Sequence, residues 1–242
     1  MTLADILTSL FPHGHDVVLE EGLLAGRGKR PNGDALIVIG VDGRLPVGIE
    51  QAAWLSRKVL DAIEAGGNEP ILVLVDSDSQ RMSKRDELLG INEFLAHLGK
   101  CLIYADRKGH PTIGLLYGHT AAGAFIATAL ATRTLVALPG AEPAVMDLPS
   151  MSRVTKLSLE VLQEKAKSTP VFAPGLDNLA QTGAVAAVLD PGQSLADQLE
   201  GLLIASASAQ LDTRDLLGKE RKGRPKAADI AERVYELARA SV

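Results

Sequence analysis

The run Ile71-Leu72-Val73-Leu74-Val75 has no polar side chain and stops at Asp76. A strand with one wet face alternates apolar and polar residues, so an unbroken apolar run of this length predicts a strand covered on both faces. Similar runs lie on either side of it, Ala35-Leu36-Ile37-Val38-Ile39-Gly40 and Thr112-Ile113-Gly114-Leu115-Leu116-Tyr117. Residues 48–64, closed by Gly66-Gly67-Asn68, are helical in composition. Leu88, Ile91, Leu95, Leu98 and Leu102 recur at helical spacing in a long helix that ends near Gly109-His110-Pro111. Buried strands alternating with helices predict an α/β fold with a largely parallel sheet covered on both faces.

Residues 1–33 are polar and Gly-rich and read as an N-terminal arm or short-strand region ending in a turn. Residues 34–242 read as a single domain with C-terminal helices. After the third strand come a small-residue helix from Ala124 to Ala131 and strands near Thr134–Leu138 and Ala144–Met146. An amphipathic helix is expected over Val154–Lys167, a shorter one over Leu176–Thr182 closed by Gly183, and a strand over Ala184–Leu189. Two last helices, near 194–207 and 226–240, flank the charged stretch Lys219–Arg224, which reads as a solvated connector.

Several function classes are disfavoured. Aromatics are only 3% of residues and the formal charge is −5, so neither base stacking nor attraction to phosphate backbones is supplied. One cysteine, Cys101, allows no internal disulfide, and its setting is that of a small core residue. No apolar run reaches membrane-spanning length and no leader pattern opens the chain, so a cytoplasmic location is expected. No G-x-S-x-G, Walker A or H-E-x-x-H signature occurs. Gly26-Arg27-Gly28-Lys29-Arg30 lacks dinucleotide-loop spacing and precedes the first strong strand; it reads as a basic turn. The histidines lack metal-ligand spacing, and no metal is expected.

Two loops at strand ends remain, Asp76-Ser77-Asp78-Ser79-Gln80-Arg81-Met82-Ser83-Lys84-Arg85 and Gly118-His119-Thr120-Ala121-Ala122-Gly123. Sites in α/β folds gather beyond the carboxyl ends of strands. A small-residue turn that opens a helix offers free N–H groups and the positive end of the helix dipole, which suits an oxyanion. The same residues also suit tight helix–sheet packing.

The stretch Val75–Gln80 through Ser83–Asn92 closely resembles the gamma subunit of biotin-independent malonate decarboxylase. So do Leu116–Phe125 and Leu148–Lys156. More remotely the chain is similar to the carboxyltransferase alpha region of acetyl-CoA carboxylase, and Asn178–Pro191 resembles the late helix–strand unit of crotonase-like proteins. The resemblance implies a crotonase-like (ClpP/crotonase) spiral of ββα units. A ClpP-like serine protease shares that broad fold, but here the loop offers alanines and no serine nucleophile.

The resemblance further implies a decarboxylase subunit that pairs with a beta subunit. The substrate would be malonyl on an acyl carrier protein bearing a CoA-derived prosthetic group, with no cofactor bound to this chain directly. Carbon dioxide loss leaves an enolate, which preorganised N–H groups can hold; one such donor is typically worth about 3 to 4 kcal/mol of barrier. Mapping the motif places donors among the amides of Thr120, Ala121 and Gly123, with Gly118 shaping the turn. His119 either protonates the enolate or polarises a water, or else fixes the loop or contacts the partner. Arg81, Lys84 and Arg85 either steer the acidic carrier or form a solvated helix start. Arg153 and Lys156 serve either the subunit interface or the substrate. Two alternatives stand beside this reading: a carboxyltransferase subunit that uses carboxybiotin, and a subunit without catalytic residues that completes the beta subunit's site.

Overall fold

A computed structural model of the chain describes residues 1–170, 173–208 and 212–240, with side chains left out for 206–208. The chain divides into two compact units, Met1–Val145 with Ala187–Gln210, and Met146–Ala186 with Leu211–Val242. The sequence reading instead has an arm followed by one domain.

The first unit holds α1 (Leu3–Leu10), strands β1 (Val18–Glu20), β2 (Leu23–Lys29) and β3 (Ala35–Val47), and α2 (Ile49–Ala65). There follow β4 (Ile71–Gln80), α3 (Lys84–Leu88), α4 (Ile91–Arg107), β5 (Thr112–Leu116) and β6 (His119–Ala121). The helix α5 (Ala122–Phe125) continues as a π-turn over Ile126–Leu130 into β7 (Thr134–Ala137) and β8 (Glu142–Ala144). The second unit contributes α6 (Leu148–Thr155), α7 (Leu159–Ser168) and α8 (Leu176–Gln181). The chain returns to the first unit for β9 (Ala187–Val188) and α9 (Leu195–Ser208), and ends in the second with α10 (Arg214–Glu220) and α11 (Ala227–Ala240).

The main sheet has the order β1-β2-β3-β4-β5-β7-β9. From β3 to β9 every pairing is parallel, while β1 and β2 pair antiparallel at one edge. Every residue of β5 and the Ile71–Val75 part of β4 are buried, as their unbroken apolar runs require. Ala52, Leu55 and Val59 of α2 and Leu95, Leu98 and Leu102 of α4 supply buried helix faces.

The first 33 residues do not stand apart as an arm. Thr2 and Asp5 form a capping box that starts α1. Ile6, Leu7, Leu10 and Phe11 are buried, and a Cβ on Gly28 would fall 2.2 Å from the Phe11 ring. The β2 strand then pairs with β3 from Leu23 opposite Val41 to Lys29 opposite Ala35. Glycines here permit ring-on-strand packing, which composition alone reads as loop.

Other elements shift for local reasons. The long helix begins at Ile91 because Gly90 takes a left-handed conformation (φ 83°), leaving Leu88 on α3 and 76% exposed. The helix expected over Val154–Lys167 is two helices, broken where Lys156 caps α6 at φ 63° and Ser158 starts α7. The strand expected near Ala144–Met146 is Glu142–Ala144, and that expected over Ala184–Leu189 is reduced to Ala187–Val188. The strand β4 does not end at Asp76. It continues through polar residues, with Ser77 opposite Leu45 and Gln80 opposite Val47.

Candidate functional site

The two strand-end loops singled out in the sequence come together in the first unit. The polar half of β4 runs alongside the junction between β5 and α5. The Asp76 carboxylate accepts from the His119 N–H at 2.9 Å, and Gln80 Oε1 accepts from the Gly123 N–H at 2.8 Å. Between them the hydroxyls of Ser77 and Thr120 share a hydrogen bond of 2.8 Å, and both residues are fully buried.

What reads as a glycine turn in the sequence is a short strand. His119, Thr120 and Ala121 form β6, which pairs parallel with β8, His119 opposite Glu142 and Ala121 opposite Ala144. Gly118 needs to be glycine because a Cβ there would lie 2.1 Å from Asp76 Oδ1. Ala121 is extended (φ −143°, ψ 160°), then Ala122 turns into the left-handed region at φ 50° and α5 begins. A non-glycine residue in that region costs about 1 to 2 kcal/mol. The amides at the start of a helix have no acceptor within it.

Of the three expected donors, Gly123 gives its N–H to Gln80, and Thr120 is 0% exposed. Ala121, with Ala122 beside it, is half-buried at the surface of the junction. The His119 ring lies between two carboxylates, Nε2 at 3.8 Å from Asp78 Oδ1 and Nδ1 at 3.7 Å from Glu142 Oε2. Its Nδ1 is buried without a hydrogen-bond partner among the described residues. Tyr117 donates its hydroxyl to Asp42 at 2.7 Å, and burial, reinforced by that carboxylate, pushes the phenol pKa far up. It stays neutral as a structural donor.

Arg81 and Arg85 sit just past β4 in a charge cluster. Arg81 binds Asp86 in a two-pronged contact of 2.7 and 3.0 Å and also reaches Glu50. Arg85 meets Glu50 at 2.6 Å and Asp86 at 3.3 Å. The two guanidiniums are therefore matched within the chain, and Gly48 leaves room for that of Arg81. Lys84, in the first turn of α3, is exposed. Arg153 bonds Ser150 within α6 and Lys156 caps that helix, both in the second unit.

Hydrogen bonds from Arg81, from the Glu50 N–H and from Arg85 hold the Glu50 carboxyl down from 4.5 to about 2. Arg81 likewise holds Asp86 below its ordinary value, ahead of a smaller opposing effect of desolvation. A lowered folded-state pKa stabilises fully above the unfolded value and is lost as pH falls through the folded one. The urea midpoint of Glu50→Gln should accordingly lie below that of the parent at about pH 6, and the gap should close as pH drops from about 4.5 toward about 2. A gap that is constant with pH excludes this pairing.

The Asp76 and Gln80 contacts and the Glu50 partnership were not foreseen from the sequence. The available signal was a dense polar run directly after an apolar strand. A separate cleft of about 470 Å³ opens at the opposite end of the strands, lined by Arg30, Asn68, Pro70, Pro111 and Ile204. Arg30 is paired there with Glu200. Among the described residues no three His, Cys, Asp or Glu side chains gather as a metal set, and no helix is long and apolar enough to cross a membrane.

Comparison with known proteins adds four findings. The family model described as malonate decarboxylase gamma subunit matches residues 43–238. The malonyl-S-ACP:biotin-protein carboxyltransferase MADD of Malonomonas rubra is 30% identical over 196 residues, covering 74% of this chain and 67% of that protein. Among solved structures, a Pseudomonas malonate decarboxylase hetero-tetramer in complex with coenzyme A superposes at a TM-score of 0.75, with 26% identity and 98% of each chain covered. The transcarboxylase 12S core superposes at 0.69 with 18% identity over 86% of this chain and 41% of the other, a likeness of fold alone.

Proposed function

Because the chain belongs to the malonate decarboxylase gamma subunit family, a family of decarboxylase subunits with the crotonase-like α/β fold, we propose that it forms with a beta subunit the site where a malonyl thioester on an acyl carrier protein loses carbon dioxide. The bond between the malonyl carboxylate carbon and its α-carbon breaks, and the electron pair spreads onto the thioester oxygen. That oxygen is received by the Ala121 and Ala122 amides at the start of α5. Proton addition at the α-carbon then gives the acetyl thioester, and His119 is the proposed donor, a role supported by its position at the junction between the Asp78 and Glu142 carboxylates. The observation that carries this reading is the junction itself, held by side chains of β4 on both sides of these amides.

The relatives support the substrate class. One acts on malonyl-S-ACP, and the solved hetero-tetramer holds coenzyme A, whose arm resembles that of a carrier protein. A hetero-oligomeric relative also accounts for the exposed Met82, Leu88 and Leu89 just beyond β4, at 78%, 76% and 54% exposure. Arg81 and Arg85, already matched by carboxylates, leave Lys84 as the cation for steering an acidic carrier.

A second reading is favoured by the named relative from Malonomonas: transfer of the carboxyl group to a biotin protein. The test mixes the chain, its beta subunit and labelled malonyl carrier protein, with and without a biotinylated acceptor. Label released as carbon dioxide without biotin is the expected result. Label that leaves malonyl only when biotin is present supports the transferase reading, and a chain that neither associates nor supports turnover overturns both.

A further inference from the structure

Beyond Val75 the bonding between β4 and the following chain changes in kind. In the core the strands pair main chain to main chain, from Ile71 opposite Thr112 to Val75 opposite Leu116, an offset of 41 residues. The Tyr117 N–H to Val75 O bond, at 3.2 Å, closes that ladder. From there the rungs are made by side chains, at an offset of 43 residues. They join Asp76 to the His119 amide, Ser77 to the Thr120 hydroxyl and Gln80 to the Gly123 amide.

We infer that Asp76 and Gln80 are positioning residues, which grip the junction at His119 and at Gly123 so that the Ala121 and Ala122 amides between them keep one orientation. The inference rests on the enolate-binding reading of that junction. Both acceptors stand on one strand, four residues apart, with a shift of register between Ser77 and Gln80, and that strand is anchored by the buried run Ile71–Val75. A donor that must turn toward a forming oxyanion loses the advantage of preorganisation. The grip also explains how Ala122 is kept at φ 50°, since a residue in that region persists only when its surroundings fix it. Gly118 completes the arrangement by leaving space for the Asp76 carboxylate.

The test uses the assembled complex carrying Asp76→Ala, Asp76→Asn or Gln80→Leu. Three readouts are taken: subunit association, amide hydrogen exchange over residues 118–125, and steady-state kinetics with malonyl carrier protein. Asp76→Ala and Gln80→Leu should speed exchange in this segment about tenfold. They should lower kcat about 10-fold to 100-fold while KM stays within about threefold. Asp76→Asn keeps an acceptor oxygen and should remain within about threefold of the parent. Should Asp76→Ala fail to assemble, Gln80→Leu decides alone. Exchange that does not change, faster exchange with undiminished kcat, or an Asn variant as damaged as the Ala variant overturns the inference. If the parent complex releases no carbon dioxide, the enolate reading fails, while the exchange measurements still decide whether the grip exists.

Discussion

Gly118→Ala should lower turnover of the assembled complex about 100-fold, the cost expected when a small displacement misplaces reacting groups. Gly118 is not in the left-handed region, so the backbone tolerates alanine there and the penalty is steric. The new methyl would fall 2.1 Å from Oδ1, 2.3 Å from Cγ and 2.7 Å from Cβ of Asp76. All three distances are far inside contact, so the whole side chain must leave and the His119 N–H loses its acceptor. Two comparisons isolate the cause. Gly201→Ala, in α9 with nothing within 4 Å of the added carbon, should leave turnover unchanged and improve helix propensity slightly. The double variant Gly118→Ala/Asp76→Gly should be no worse than Asp76→Gly alone, because glycine at 76 removes the Cβ at 2.7 Å together with the carboxylate, so the clash and the lost acceptor act through one side chain. Additive losses would show that Gly118 matters for another reason.

Phe125→Ala should destabilise the chain by about 3 to 5 kcal/mol in urea denaturation. Among the described residues Phe125 is the bulkiest of the fully buried side chains, at 0% exposure. In a sequence with four phenylalanines its ring leaves, once truncated, a volume that a close-packed interior refills only in part. It also lies at the end of α5, two residues after Gly123, so its packing seats the helix whose first amides form the candidate site. Phe125→Leu keeps most of the volume and should cost less than about 1.5 kcal/mol. Equal midpoints for Phe125→Ala and the parent would mean that the helix is not packed as described.

The sheet was legible because burial on both faces leaves a mark that depends on nothing remote. Ile71–Val75 and Thr112–Leu116 are strands in the structure as their composition requires, and Leu95, Leu98 and Leu102 line the buried side of α4 at the spacing that suggested a helix. Composition left the N-terminal segment open between an arm and short strands, and its Gly26–Arg30 stretch, read as a turn, lies mostly in β2, since a glycine beneath a phenylalanine ring, as at Gly28 and Phe11, has the composition of a loop. Helices of the second unit were legible one by one, while its grouping was not, because division into units follows from which distant segments touch.

At the candidate site the same boundary applies. A polar strand end and a small-residue turn were enough to single out the junction as a candidate, and resemblance to a family suggested the chemistry proposed for it. Local patterning determined the apolar strands and the amphipathic helices, since each is set by a period of two or of three to four residues and by the exclusion of water. Only the tertiary structure decided that Asp76 and Gln80 serve the amides of His119 and Gly123, that Glu50 neutralises Arg81, and that Thr120 is buried. A hydrogen bond between groups 43 residues apart leaves no periodic trace, because its partners are chosen by the register of strands and not by their neighbours in sequence.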